Sequence, residues 1–387
     1  MIKNTTLTDC QIYTVFDRLF DILNNSNTTD CIIQESTTEL QDVYLVGRYF
    51  YAYFTSILIF VGVVGNSFSL YVFLSMNFRP LSTSSYLVAL SGSDLFTTVF
   101  YVTVEWIRRG YTYIYPDRSI HFLDVTGVCE IQLYLSYISR FVSAWILVCC
   151  TVDRYVVVCR PLLRRKHCTA RKTRKIVAGV FLVSSFIVLY KPFLSGVYIS
   201  DFGNLYCTAN PTYKFVSFVC DSLFALMICL VPSMIIIILN TIIITKLAKR
   251  KSYRKNRKII TQENVIRLEL TKIYLCLSVC FIAFNLPYFV LWCRNFLTSK
   301  YVSLSVTNSF SDVNVKYWQG ILYFVRTIFY MNYCVNFIVY LVTGTCFRQE
   351  IGRLFLNKHS TREEQLSPFL SYTKRSKRSG NLNSSIL

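Results

Sequence analysis

Apolar residues in this chain gather into seven blocks separated by short polar stretches, rather than alternating with polar ones. Five blocks carry no charge: 49–78, 176–190, 222–245, 273–293 and 327–347. Two more hold one central charge each, 81–104 around Asp94 and 131–152 around Arg140. Crossing a bilayer takes about 20 residues of helix, and a helix satisfies every backbone donor and acceptor within itself. The pattern therefore predicts spanning helices over 45–76, 82–108, 128–158, 174–194, 215–246, 267–296 and 318–342. Beyond them, Phe347, Ile351, Leu354 and Phe355 recur on one helical face, flanked by Arg348, Arg353 and Lys358. This predicts a short amphipathic helix over 343–358, with its apolar face in lipid and its cations near anionic headgroups. The expected fold is all-α: an integral membrane bundle of seven helices over 45–342, a surface helix, and a polar, basic, disordered tail over 359–387.

Charge sets the orientation. The net charge is +20, but it is concentrated in two inter-block loops. Residues 160–175 and 246–258 each hold eight Lys/Arg and no acid, whereas 1–47 holds seven acids and two bases. Excess Lys/Arg marks the cytoplasmic side, which puts the N-terminus outside and the C-terminus inside. The same clustering argues against nucleic acid, for no basic–aromatic module lies outside these loops. Met1-Ile2-Lys3 leads into polar residues rather than an apolar core, so no cleavable signal is expected and the first span serves for insertion. Segment 1–44 is then extracellular, and its sequons at Asn4, Asn24 and Asn27 are candidate glycosylation sites, while the one at Asn383 faces the cytoplasm. Most of the 15 cysteines lie within the blocks as small apolar residues. Cys129 and Cys207 both face the oxidising side, where a disulfide between them is chemically reasonable. Cys10 and Cys31 could pair with each other or with Cys293, and spacing does not choose.

A charge at bilayer depth is costly and usually faces the bundle interior. Asp94, with Asn66, Ser143, Asn332 and Asn336 at similar depth, reads either as a site for a cation such as sodium with water, or as an interhelical hydrogen-bond network. Arg154, at the inner end of the third block, reads either as a residue reaching to headgroups or, with Asp153 and Tyr155, as an ion-paired element that holds the bundle shut. In the outer halves, Glu105, Arg140, Asp221 and Arg326 either pair among themselves or leave a cavity of both charge signs suited to a peptide. Tyr137, Tyr288, Tyr323, Tyr330, Trp106 and Trp292 are available as walls, and Gln132 and Ser136 complete the candidate ligand contacts. Catalysis has little support. The three His are scattered over loops and tail, no phosphate loop or serine elbow is present, and Cys276 and Cys280 lie at lipid depth.

These residues resemble the rhodopsin-like G-protein-coupled receptors over about 45–357. Gly65-Asn66 looks like the signature of span one, and Leu90-Ser91-Gly92-Ser93-Asp94-Leu95 like the acidic motif of span two, with Ser91 where Ala is usual. Cys129 and Cys207 match the family disulfide, and Asp153-Arg154-Tyr155 matches the coupling triplet. Pro232 and Pro287 match the bends of spans five and six, and Asn336-Phe337-Ile338-Val339-Tyr340 resembles the span-seven motif, with Phe337 in place of Pro. Phe281 fits the family pattern one turn before Phe284-Asn285-Leu286-Pro287, but the usual Trp of that motif is missing. Arg267 stands where some members have an acid that locks Arg154, so that lock cannot form. Phe337, Asn285 and Asn240 together resemble invertebrate FMRFamide-type receptors, with thyrotropin-releasing-hormone receptors as relatives. Ser136, where amine receptors carry Asp, argues against a monoamine, and Tyr330, where opsins carry the retinal Lys, against a photopigment.

The resemblance implies a plasma-membrane receptor that binds an extracellular neuropeptide and activates a heterotrimeric G protein, with arrestin and membrane lipid as further partners. It implies no cofactor beyond a structural sodium. Two competing classes are a cation-dependent seven-span transporter or channel, disfavoured by the absence of repeats, and a receptor-like scavenger that does not signal.

Overall fold

The computed structural model describes residues 26–74, 82–118, 120–199, 205–254, 262–302 and 310–356. Six helical stretches are each long and apolar enough to cross a membrane: Asp42–Leu74, Ser84–Ile114, Val128–Cys159, Ala170–Phe193, Pro211–Lys249 and Leu268–Arg294. Val315–Cys334 and Asn336–Thr343 form a seventh, bent by 56° at Val335. The seven-helix bundle expected from the blocks is therefore present, with shifted ends. The first helix starts at Ser26, and the second span continues to Ile114. Sequons Asn4 and Asn24, Cys10 and the tail lie outside the described residues, as do the side chains of Asn27 and Cys31, while Cys293 is a free thiol.

The third span is more buried than the other five unbroken spans, because its neighbours surround it. Trp145 Nε1 donates to Met227 O at 3.1 Å in span five, and Tyr134 OH donates to Ser185 O at 3.0 Å in span four. Its outer end starts at Gly127, whose φ of +88° is open only to glycine at little cost, and whose N–H donates to Glu130 Oε2 at 2.5 Å. Pro232 follows a widened turn over Leu226–Leu230. Proline supplies no N–H and its ring displaces the preceding carbonyl, so a π-turn there accommodates it. Pro287 lies inside the helix Gln262–Val302.

Spans one and seven approach closely at Gly47 and Gly320. A Cβ at Gly47 would overlap Gly320 O, and one at Gly320 would lie 2.6 Å from Val43 O. Small residues permit such backbone approach between spans, and backbone atoms cannot rotate away as a side chain can. Gly320→Val is expected to lower stability by about 2–3 kcal/mol, the upper part of the overpacking range, read as a fall in unfolding temperature of the purified protein. An unchanged temperature would show that the two helices can separate freely.

One expectation is corrected, that of Phe347, and two details are added to the expected bundle. The seventh span is not continuous over 318–342, although Phe337 stands where proline would break it. Asn336 instead turns inward to hydrogen-bond with Asp94, and the backbone yields at Val335. The amphipathic helix is Thr345–Leu356, but Phe347 does not face lipid. It is 1% exposed and packs on Phe73 and Tyr340 at ring distances of 5.1 and 5.6 Å. Within the all-α bundle, Ser195–Ile199 and Leu205–Ala209 form a short antiparallel hairpin in the loop between spans four and five.

Candidate functional site

At the centre of the bundle, Asp94 is fully buried. Ser143 Oγ donates to its Oδ1 at 2.5 Å, and Asn336 Nδ2 donates to its Oδ2 at 2.6 Å. Asn336 also donates to Asn332 O at 3.3 Å. A small cavity beside this cluster is lined by Leu90, Leu147, Leu277 and Phe281 together with Ser143, Asn332 and Asn336. A carboxylate offers about four acceptor positions, and no described Lys or Arg forms an ion pair with Asp94. The polar cluster thus comprises Asp94, Ser143, Asn332 and Asn336. Asn66 does not join it: its Nδ2 donates to Tyr333 O at 2.8 Å and pins span one to span seven.

At the C-terminal end of span three, Asp153 and Arg154 are both buried and paired with each other. The Arg154 guanidinium lies 5.5 Å from the Tyr274 ring centroid on span six. The cation–π contact therefore holds Arg154 against span six, while the ion pair to Asp153 stays within span three and Arg267 offers no carboxylate. Tyr155 is half-buried. Tyr340 is fully buried, its ring edge-on to Phe73 at 5.1 Å. Just below, Thr345 donates to Glu269, which ties the amphipathic helix to span six. Arg348 donates to Leu341 O and Val342 O at 2.7 and 2.9 Å, capping the open carbonyls of span seven.

Toward the other face, the predicted charges separate into two clusters and one remainder. Glu105 pairs with Arg109 one turn along and with Arg326 at 3.3 Å. Asp221 accepts from Lys191 Nζ at 2.8 and 2.9 Å, from Tyr137 OH at 3.0 Å and from Tyr190 OH at 3.1 Å. Neither Lys191 nor Tyr190 was legible as a site residue, because a lysine at a span end ordinarily reaches to headgroups. Only proximity to Asp221 reveals its use. Arg140 has no acid partner among the described residues. Its guanidinium sits over Tyr101, Tyr137 and Phe224, at 4.2, 4.4 and 5.0 Å from the ring centroids, and its Nε donates to Ser136 O at 3.1 Å.

The remaining candidates divide between lining and support. Tyr288 is part-exposed and stacks on Phe329 at 4.6 Å. Gln132 donates to Phe100 O at 3.0 Å. Tyr330 is fully buried, its hydroxyl 3.4 Å from that of Tyr51, and Trp106 donates to Ala52 O at 2.7 Å, so these two brace the wall. Above them Cys129 and Cys207 are disulfide-bonded, Cα to Cα 5.6 Å. Asp124 accepts from Cys207 N at 2.9 Å and from Arg108 Nη1 at 3.0 Å, so the hairpin is fastened to both the second and third spans.

Comparison with known proteins agrees with this geometry. The chain is 21% identical over 357 residues to C-C chemokine receptor type 7 of Homo sapiens, covering 91% of this chain and 86% of that protein. It is 27% identical over 161 residues to FMRFamide peptide receptor frpr-18 of Caenorhabditis elegans, covering 39% and 34%. With the RYamide receptor of Tribolium castaneum it shares 28% identity over 166 residues, covering 43% and 42%. The family described as "7 transmembrane receptor (rhodopsin family)" matches residues 65–340, from the glycine that opens the span-one motif to the tyrosine that closes the motif of span seven. A bundle with a paired Asp-Arg-Tyr at one end, a buried carboxylate at its centre and a disulfide-tethered hairpin at the other thus belongs to the rhodopsin family of seven-transmembrane receptors, and the protein is a membrane receptor rather than an enzyme.

Proposed function

We propose that the protein is a plasma-membrane receptor with its N-terminus outside, which binds an extracellular peptide and activates a heterotrimeric G protein. The observation that carries this reading is the pairing of buried Asp153 with Arg154 and the contact of Arg154 with Tyr274, at the opposite end of the bundle from two ion-paired clusters that hold charges of both signs. A ligand that fits the outer ends better when the inner ends are apart shifts the population toward the state in which Arg154 is released. Relatives named as FMRFamide peptide and RYamide receptors support a peptide of the neuropeptide kind. The test is a screen of a neuropeptide library by nucleotide exchange in membranes bearing the receptor. Exchange raised by one or a few peptides, and absent from membranes without the receptor, is the expected result. A receptor that traffics normally yet answers none of the library would favour the scavenger reading, and ligand-free sodium flux in vesicles would favour the transporter.

Asp94, Ser143, Asn332 and Asn336 are proposed to hold a sodium ion that favours the closed arrangement, since a buried carboxylate without a cationic partner is costly. Asp94→Asn is expected to abolish any sodium dependence of agonist potency. In the native protein that potency is expected to fall several-fold as sodium replaces a large organic cation at constant ionic strength. A native receptor indifferent to sodium would leave the cluster a hydrogen-bond network alone.

A further inference from the structure

The charge balance among the groups proposed to meet the ligand is uneven. Glu105 is matched by Arg326 and Arg109, and Asp221 by Lys191. Arg140 remains, 8% exposed, with no carboxylate of the described residues paired to it. Most of its hydration is lost on burial, and a buried ion without a counter-ion is strongly disfavoured. The three aromatic faces recover only part of that, because a ring quadrupole attracts a cation more weakly than an anion does. Its Nε is engaged by Ser136 O, while its two terminal nitrogens form the flat fork that matches a carboxylate. Tyr101, Tyr137, Tyr333 and Tyr288 make up its electrostatic surroundings, and the Tyr137 hydroxyl lies within reach of its guanidinium. Tyr137 and Tyr288 are part-exposed, as are Asp221 and Glu105, so Arg140 lies among groups that are not fully buried, with the two ion-paired clusters on the same half of the bundle.

We infer that the pocket takes a ligand whose buried end is an anionic group, most simply a carboxylate attached to an aromatic or apolar body, and that Arg140 is its counter-ion. The inference rests on the reading of this pocket as the receptor's ligand site and narrows the ligand's chemistry. Tyr101, Tyr137 and Phe224, which cage the guanidinium, would pack against the apolar body. The carboxylate could come from the free C-terminus of a peptide or from a small organic acid.

The experiment uses the purified full-length receptor and follows its unfolding temperature against concentration of matched probes. One arm compares short aromatic peptides ending in a free carboxylate with the same peptides amidated. The other compares phenylbutyrate with phenylbutyramide. In at least one arm the acid is expected to stabilise at about tenfold lower concentration than the amide, in line with a hydrogen-bonded charge pair. Arg140→Gln is expected to erase that difference, and Arg140→Lys to retain part of it. Equal effects of acid and amide in both arms, no stabilisation by any acid, or an acid preference that survives Arg140→Gln would each overturn the inference. Should Arg140→Gln fail to fold, the acid–amide comparison on the native chain and Arg140→Lys still decides it. A response to phenylbutyrate alone would keep Arg140 as the counter-ion and count against a peptide ligand. Binding of peptide amides regardless of residue 140 would keep the peptide reading and remove Arg140 from it.

Discussion

The Arg154→Ala receptor is expected to reach the cell surface and to show no ligand-stimulated nucleotide exchange, while Asp153→Asn is expected to raise exchange in the absence of ligand. Both follow from the same geometry. Arg154 is 3% exposed, paired with Asp153 and set against the ring of Tyr274. Removing its guanidinium deletes the group that would be delivered to the G protein when the inner ends part, yet leaves span three otherwise intact. Removing the Asp153 charge instead weakens the closed arrangement. Breaking one side of a buried pair typically costs about 3–5 kcal/mol. The contact with Tyr274 persists in Asp153→Asn, so only part of that reaches the closed–open balance. Even about 1.4 kcal/mol is a tenfold shift in population, enough for a several-fold rise in basal exchange. Stimulated exchange unchanged in Arg154→Ala would remove Arg154 from coupling, and basal exchange unchanged in Asp153→Asn would show that the pair does not bias the balance.

Cys129→Ser is expected to have the second large effect, loss of most surface expression and of thermal stability. The Cys129–Cys207 bond closes a loop of 78 residues, and chain entropy alone assigns such a closure about 4.5 kcal/mol. The loss is local in structure but wide in consequence. Without the bond, the side-chain tie through Asp124, which accepts from Cys207 N and Arg108, remains to hold the hairpin. Radioligand-free measurements suffice: surface labelling of an N-terminal tag and the unfolding temperature in detergent. A variant that is expressed and melts as the native protein does would show that Asp124 and the hairpin register are sufficient.

Much of the architecture could be read along the chain because a bilayer imposes its own length on an apolar block. Each charge-free run corresponds to a spanning helix, and the central Asp94 and Arg140 both prove to be buried. The bend at Val335 could not be read, because no proline or glycine marks it; beside it, Asn336 of span seven reaches Asp94 on span two, a contact between residues 242 apart in sequence. Phe347 misled for a related reason. Its spacing marks an apolar face, but spacing cannot say whether lipid or the rings of Phe73 and Tyr340 cover that face. Asn66 shares the depth of Asp94 but bonds across to Tyr333 O, for depth along a span carries no information about direction around it.

The sequence by itself determined that the chain crosses the membrane seven times, and which residue types are buried there, because the cost of unsatisfied backbone and of charge in hydrocarbon leaves few alternatives. Only the tertiary structure decided which charges neutralise one another. Lys191 takes Asp221, Arg326 takes Glu105, and Arg140 is left among aromatic rings. Pairing depends on a few ångströms between side chains on different helices. Helix rotation and backbone bends set those distances, and both emerge only when all seven spans pack together.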